Sequence, residues 1–259
     1  REPHNGERSC RDIRTFEMLI LRGIIREPPY GGNVKGPRMD RKTGNFASEG
    51  SIMGELTDGL IVKPHSKLRL KDRDPDDTEG FGKKEALELL QENLDRLKTL
   101  QHLLYAENKR AVLVILQAMD AGGKDGTIRH VLGPLNPQGV KVVSFKAPDA
   151  EELSHDVLWR VHPSAPRTGE IRVFNRSHYE DVLIVRVHKL VPKSVWSKRY
   201  KHINSFENLL ADSGVTILKF FLHFSNNEQL KRLKARLVYP TKHLNSIPIF
   251  FQAEDGIRD

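Results

Sequence analysis

The stretch AVLVILQAMDAGGKDGTIRHVL, residues 111–132, decides how this chain is read. AVLVILQ is a short apolar run of the kind a buried strand needs, and GTIRHVL supplies the start of a helix. Between them Ala118, Gly123 and Lys124 meet the Gly-x-x-x-x-Gly-Lys spacing of a phosphate-cradling loop, with alanine in place of the first glycine. Gly122 and Gly123 let backbone N–H groups turn inward without a Cβ in the way, and a helix start adds partial positive charge. Lys124 then reaches outer phosphates as a mobile point charge. The plain alternative is a glycine turn with an incidental lysine.

Two departures from the usual loop carry chemistry. Asp125 stands where a hydroxyl normally holds Mg²⁺, although Thr127 lies close by. Asp120 would repel phosphates unless a cation lay between them, and Mg²⁺ favours carboxylate, water and phosphate oxygens. The loop therefore predicts a magnesium site moved onto Asp120. A second constellation is IRVFNRSHYEDV, residues 171–182. Nucleoside-triphosphate enzymes place a second magnesium anchor on an acid at the end of a strand. Here that place belongs to Asn175, which can coordinate without adding charge. Arg176 follows and could stabilise a phosphoryl group in flight. The plain alternative is an ion pair with Glu180 or Asp181 at the surface.

Outward from the loop, apolar runs recur at 140–146, 170–175 and 215–225, separated by helix-like stretches at 125–132, 149–160, 179–188, 193–211 and 226–237. Buried β-rich runs spaced by helices predict a parallel sheet covered on both faces. Leu87, Leu90, Leu94, Leu97, Leu100 and Leu104 form one stripe on a long preceding helix, suited to a sheet face or to a coiled coil. HINSFENLL is expected to turn Ile203, Phe206 and Leu209 inward. Trp159 shares helical spacing with Leu153 and Val157 and is expected in the core.

Of the 259 residues, 38% are hydrophobic and 29% charged, a balance that indicates a soluble globular protein. Apolar runs such as AVLVIL are too short to cross a bilayer, and the N-terminus lacks a signal-peptide pattern, so the cytoplasm is the expected compartment. Cys10 stands alone and supports neither a disulfide framework nor a metal cluster. His130, His155, His178, His188, His202 and His223 match no metal-ligand spacing. A net charge of +8 serves solubility or a polyanionic partner.

The blocks DPDDTEGF, LQAMDAGGKDGTIRHVL, NPQGVKVVSFKAP, HDVLWRVH, GEIRVFNRSHYEDVL, RYKHINSFENLLAD and KFFLHFSNNEQLKRLKARL together resemble the family-2 polyphosphate kinases, across roughly residues 60–237. The resemblance implies an α/β, three-layer P-loop kinase-like fold: a parallel sheet flanked by helices, with a helical lid. It implies Mg²⁺-dependent transfer of a terminal phosphoryl group between inorganic polyphosphate and a nucleotide. The NRSHYE form resembles the branch that accepts nucleoside mono- and diphosphates, so AMP, ADP and ATP are the implied nucleotide partners. Specific nucleic acid and membrane are not among the expected partners, and self-association is left open. Carried over, Asp120, Lys124 and Arg176 are catalytic, and Asp120 with Asn175 holds the metal. Gly122, Gly123, Asp125, Gly126 and Thr127 bind phosphate, Lys146 lines the polyphosphate path, and Lys219 assists. Arg232 or Arg236 would be a lid arginine touching the nucleotide, or part of a solvated helical face.

The expected organisation is an N-terminal extension over 1–52, disordered or non-native, a kinase domain over 53–242 and a tail over 243–259. The natural polypeptide is expected to begin near Met53. The ending LNSIPIFFQAEDGIRD leaves the family pattern and resembles a translated sequencing adapter. Rival readings are an ATP-dependent P-loop kinase of a small metabolite, a polyanion-binding protein without catalysis, and a fragment inactivated by loss of C-terminal helices.

Overall fold

The structure is a computed structural model that describes residues 60–62, 66–78 and 80–238. The expectations for residues 1–52 and 243–259 lie outside the described residues. Four strands form one parallel sheet: β1 (Ala111–Ala118), β2 (Val140–Ser144), β3 (Ile171–Asn175) and β4 (Val215–Leu222), in the order β2-β3-β1-β4. The helices are α1 (Lys83–Glu107), α2 (Lys124–Thr127, continued by a π-type turn over Ile128–Leu132), α3 (Ala150–Ser154), α4 (Glu180–Val187), α5 (Lys193–Asp212) and α6 (Asn226–Val238). Among the described residues no helix is long and apolar enough to cross a membrane.

Alternation along the strands builds two cores. Val112, Val114 and Leu116 of β1 meet Leu97 and Leu104 of α1 and Val131 and Leu132 after α2. Ala111, Leu113 and Ile115 point the other way, toward Val182 of α4 and Ile203, Phe206 and Leu210 of α5. Successive side chains of a strand take opposite faces, so a strand between two helical layers is apolar throughout. That explains why β1 reads as an unbroken run. The result is three layers, as the alternating pattern predicts.

Several local expectations shift. The stripe on α1 buries Leu94, Leu97 and Leu104, whereas Leu87 at its start is exposed. On α5 the third inward residue is Leu210, because Ile203, Phe206 and Leu210 fall at the i, i+3, i+7 steps of one helix face, and Leu209 is left exposed. The predicted helix over 149–160 stops at Ser154. A capping box between Asp149 and Glu152 starts it, but His155 is extended and the Asp156 carboxylate accepts from the Leu158 N–H, a turn that competes with helix. Trp159 is therefore partly exposed and stacked on His155 at 4.1 Å, and Leu153 is 69% exposed.

Phe174 is fully buried and meets the edge of the Phe145 ring at 4.9 Å. Phe174→Ala is expected to cost about 3–5 kcal/mol in chemical denaturation. Leu153→Ala, at an exposed site, is expected to stay within about 0.5 kcal/mol.

Candidate active site

Register places the site. Leu116 of β1 lies opposite Asn175 of β3, so the segments that follow these two strands leave the same edge of the sheet side by side. From β1 the chain crosses toward β2 on one side of the sheet, and from β3 it crosses toward β4 on the other. Ligands of open parallel sheets bind in the crevice that such a divergence opens beyond the strand ends.

The loop after β1 is tightly determined. Ala121 (φ 64°) and Gly123 (φ 89°) are left-handed, and the Thr127 N–H donates to Gly123 O at 2.9 Å. Gly122 is a glycine for lack of room: a Cβ there would run into Ala118 Cβ and stand 2.7 Å from Met119 O and 2.8 Å from Phe224. Helix α6 clamps the loop from outside, with Gln229 Nε2 donating to Asp120 O (3.0 Å) and Arg232 Nη1 to Ala121 O (3.1 Å). The Arg232 guanidinium also covers the Phe224 ring at 5.2 Å and donates through Nε to Glu228 (3.0 Å).

Charged groups of both segments meet in the crevice. Arg176, itself left-handed at φ 63°, brings Nη2 to 3.4 Å from Asp120 Oδ1. Asn175 Nδ2 donates to Asp125 Oδ1 at 2.7 Å. Lys124 curls over its own loop and donates from Nζ to Ala118 O at 3.1 Å. Burial foremost, and then repulsion by Arg176, lowers the Lys124 ammonium below its ordinary range, against the pull of Asp120, Glu180 and Asp125. Glu180 is displaced upward, chiefly by burial, although Arg176 and Lys124 favour its charged form and Gln117 hydrogen-bonds it. Gln117 also donates to Ser177 Oγ at 2.9 Å, tying the end of β1 to the turn after β3.

Asp120, Gly122, Gly123, Lys124, Asp125, Gly126, Thr127, Asn175, Arg176 and Arg232 thus gather at one edge. Lys146 lies exposed two residues beyond β2, its carbonyl accepting from Arg160 Nη1 at 2.9 Å. Arg236 sits one turn beyond Arg232 on α6. Of the two surface partners weighed for Arg176, Asp181 pairs with Arg160 at 3.4 Å, while Glu180 and Arg176 attract each other within the crevice.

Lys219, expected with the phosphate ligands, stands apart from this group. It pairs in register with Ile115, back from the loop edge, and alternation turns it toward α5. There its Nζ donates to Glu207 Oε2 (2.6 Å) and Tyr179 Oη (3.1 Å). Burial works to raise the Glu207 carboxyl, but the close approach of His178 and the hydrogen bonds from Lys219 and Tyr179 outweigh it and hold the group at about 2.

Glu180, Gln117 and Gln229 were missed as site residues. An acid in the first turn of the helix after an Asn-Arg strand end was a signal for Glu180. Nothing in spacing marks the two glutamines, whose partners lie 60 and 109 residues away in the chain.

Comparison with known proteins bears on this crevice. Residues 81–255 match the family described as Polyphosphate kinase 2 (PPK2). An AMP/ADP-polyphosphate phosphotransferase of Meiothermus ruber is 60% identical over 183 residues, covering 70% of this chain and 68% of that protein. An ADP-polyphosphate phosphotransferase of Rhodopseudomonas palustris is 54% identical over 168 residues, 60% of this chain and 58% of that protein. The crystal structure of Polyphosphate Kinase 2 from Arthrobacter aurescens TC1 superposes with a TM-score of 0.67 at 44% identity, covering 73% of this chain and 69% of that one.

The loop itself makes a stability prediction. Gly122→Ala must push backbone aside and is expected to cost about 1–3 kcal/mol in guanidinium denaturation. Gly126→Ala meets nothing within 4 Å and is expected to be neutral or to stabilise by up to about 1 kcal/mol.

Proposed function

Because the chain belongs to the polyphosphate kinase 2 family, we propose that it moves a terminal phosphoryl group between inorganic polyphosphate and a nucleoside mono- or diphosphate, with Mg²⁺, in the cytoplasm. The observation that carries this reading is the convergence of Asp120, Lys124 and Arg176, from two different segments, on one crevice. The names of the relatives from Meiothermus ruber and Rhodopseudomonas palustris support the choice of polyphosphate and of AMP or ADP.

In the proposed reaction a terminal phosphate oxygen of the nucleotide attacks the end phosphorus of polyphosphate. The new P–O bond forms as the bridging P–O bond opposite it breaks, and the departing chain is one phosphate shorter. No covalent protein intermediate is needed, so the chain's contribution is positioning and charge. Lys124 directs an ammonium at the outer phosphates. Arg176, drawn from Asp120, offers planar paired donors to oxygens that gain charge during transfer. The burial that lowers Lys124 also strengthens its attraction for phosphate, since the surroundings screen less.

Magnesium fits the residues present. Asp120 offers a carboxylate whose side chain is 42% exposed, and Asn175, having committed its amide nitrogen to Asp125, could coordinate through its amide oxygen. Among the described residues no group of three or more His, Cys, Asp and Glu side chains gathers as a closed metal centre. Mg²⁺ characteristically takes one or two protein ligands and completes its shell with phosphate and water. Bound there, it would supply charge neutralisation and Lewis acidity to the phosphates.

Purified protein given polyphosphate, Mg²⁺ and AMP or ADP should form ADP or ATP. Lys124→Ala and Arg176→Ala should each lower kcat by about 10²–10⁴-fold, followed by coupled nucleotide assay. A small-metabolite kinase would use ATP and ignore polyphosphate. A polyanion binder would retain salt-sensitive binding in Lys124→Ala and make no nucleotide in any variant.

A further inference from the structure

The turn that presents Arg176 and Glu180 is improbable on its own. Arg176 is left-handed at φ 63°, a conformation that side chains with a Cβ adopt only where the surroundings impose it. The next residues show what imposes it. Ser177 and His178 are both fully buried. Ser177 Oγ accepts from Gln117 and from the Tyr179 N–H at 3.2 Å. The His178 ring is wedged among Phe174 (6.2 Å), Tyr179 (4.8 Å) and Phe206 (5.6 Å). Both His178 and Tyr179 converge on one carboxylate of α5. Glu207 Oε1 accepts from Tyr179 Oη at 2.6 Å and lies 3.5 Å from His178 Nε2. Its other oxygen takes the Lys219 ammonium at 2.6 Å, and that ammonium lies 5.7 Å from the centre of the Tyr179 ring.

We propose that Glu207 is a positioning residue for phosphoryl transfer: by holding the Tyr179 hydroxyl from behind and lying against the buried His178 ring, with Lys219 as its counter-cation, it keeps the 176–180 turn in the conformation that aims Arg176 into the crevice. A carboxylate is the group required. Its two oxygens accept from a phenol on one side and an ammonium on the other, which an amide of the same shape cannot do because half of it donates. A buried charge of this kind fixes its partners' geometry through directional, charge-assisted bonds. Lys219 thereby gains a role distinct from phosphate binding, as the cation that lets a buried carboxylate keep its charge. Glu207 touches no substrate and acts through Arg176, so the inference rests on the functional reading above.

The test pairs a local measurement with a coupling measurement on the full chain. Hydrogen exchange in Glu207→Gln should accelerate at least tenfold in peptides covering 175–180 while the β1 peptide 111–118 keeps its protection. In steady-state assay with polyphosphate and AMP, Glu207→Gln should lower kcat about tenfold and leave KM for both substrates within twofold. In an Arg176→Lys background the same substitution should cost less than twofold, because its target has already been altered. Tyr179→Phe, which removes one hydroxyl and no charge, should reproduce the effect more weakly and covers the case in which Glu207→Gln does not fold. Unchanged exchange at 175–180, or an equal fold-loss in both backgrounds, overturns the proposal. If the wild-type chain transfers nothing from polyphosphate, the functional reading falls while the exchange result still decides whether Glu207 holds the turn.

Discussion

The parallel pairing of β1 with β3 is the constraint on which the site depends. Setting Leu116 against Asn175 fixes the point at which two segments leave the sheet, and Asp120, Lys124, Asp125, Arg176 and Glu180 all hang from one or the other. A slip of one residue in that register would reverse every side chain of β3 between the two cores. Fully buried Ile171 and Val173 on one face and Phe174 on the other oppose such a slip. The geometry of the crevice thus rests on hydrophobic packing as well as on polar contacts.

What the register assembles is electrostatically incomplete by itself. Lys124 and Arg176 face Asp120, Asp125 and Glu180, so the acids are at least as many as the cations before any phosphate arrives. A polyanion entering such a place would need an additional positive charge, which under the proposed reading the Asp120 carboxylate would hold as a cation. Arg176 and Asp120 satisfy each other at 3.4 Å meanwhile, which keeps both from facing the crevice uncompensated. The same logic gives meaning to Asp125: in place of a hydroxyl it accepts from Asn175 and binds the loop to the β3 end.

Much of this was legible in the sequence because burial writes itself into patterns. A strand covered on both faces, as β1 is, becomes a continuous apolar run, and all four strands are legible, the exposed edge strand β2 included, as are α4, α5 and α6 to within a residue or so. The loop was legible because few sequences place two glycines and a lysine behind a strand. Three kinds of information were not. Helix length after β2 was decided by the Asp156 turn, a local competition that apolar spacing cannot register. The direction of Lys219 depended on strand alternation together with an acid on a neighbouring helix. The roles of Gln117 and Gln229 arose wholly from tertiary proximity.

The most direct test is a crystal structure of the chain bound to a short polyphosphate and AMP. The account predicts phosphate oxygens within hydrogen-bonding distance of Lys124 Nζ and the Arg176 guanidinium, with Asp120 turned toward a cation on the same phosphates. Phosphates bound elsewhere on the basic surface, with the crevice between β1 and β3 empty and Arg176 still on Asp120, would contradict it.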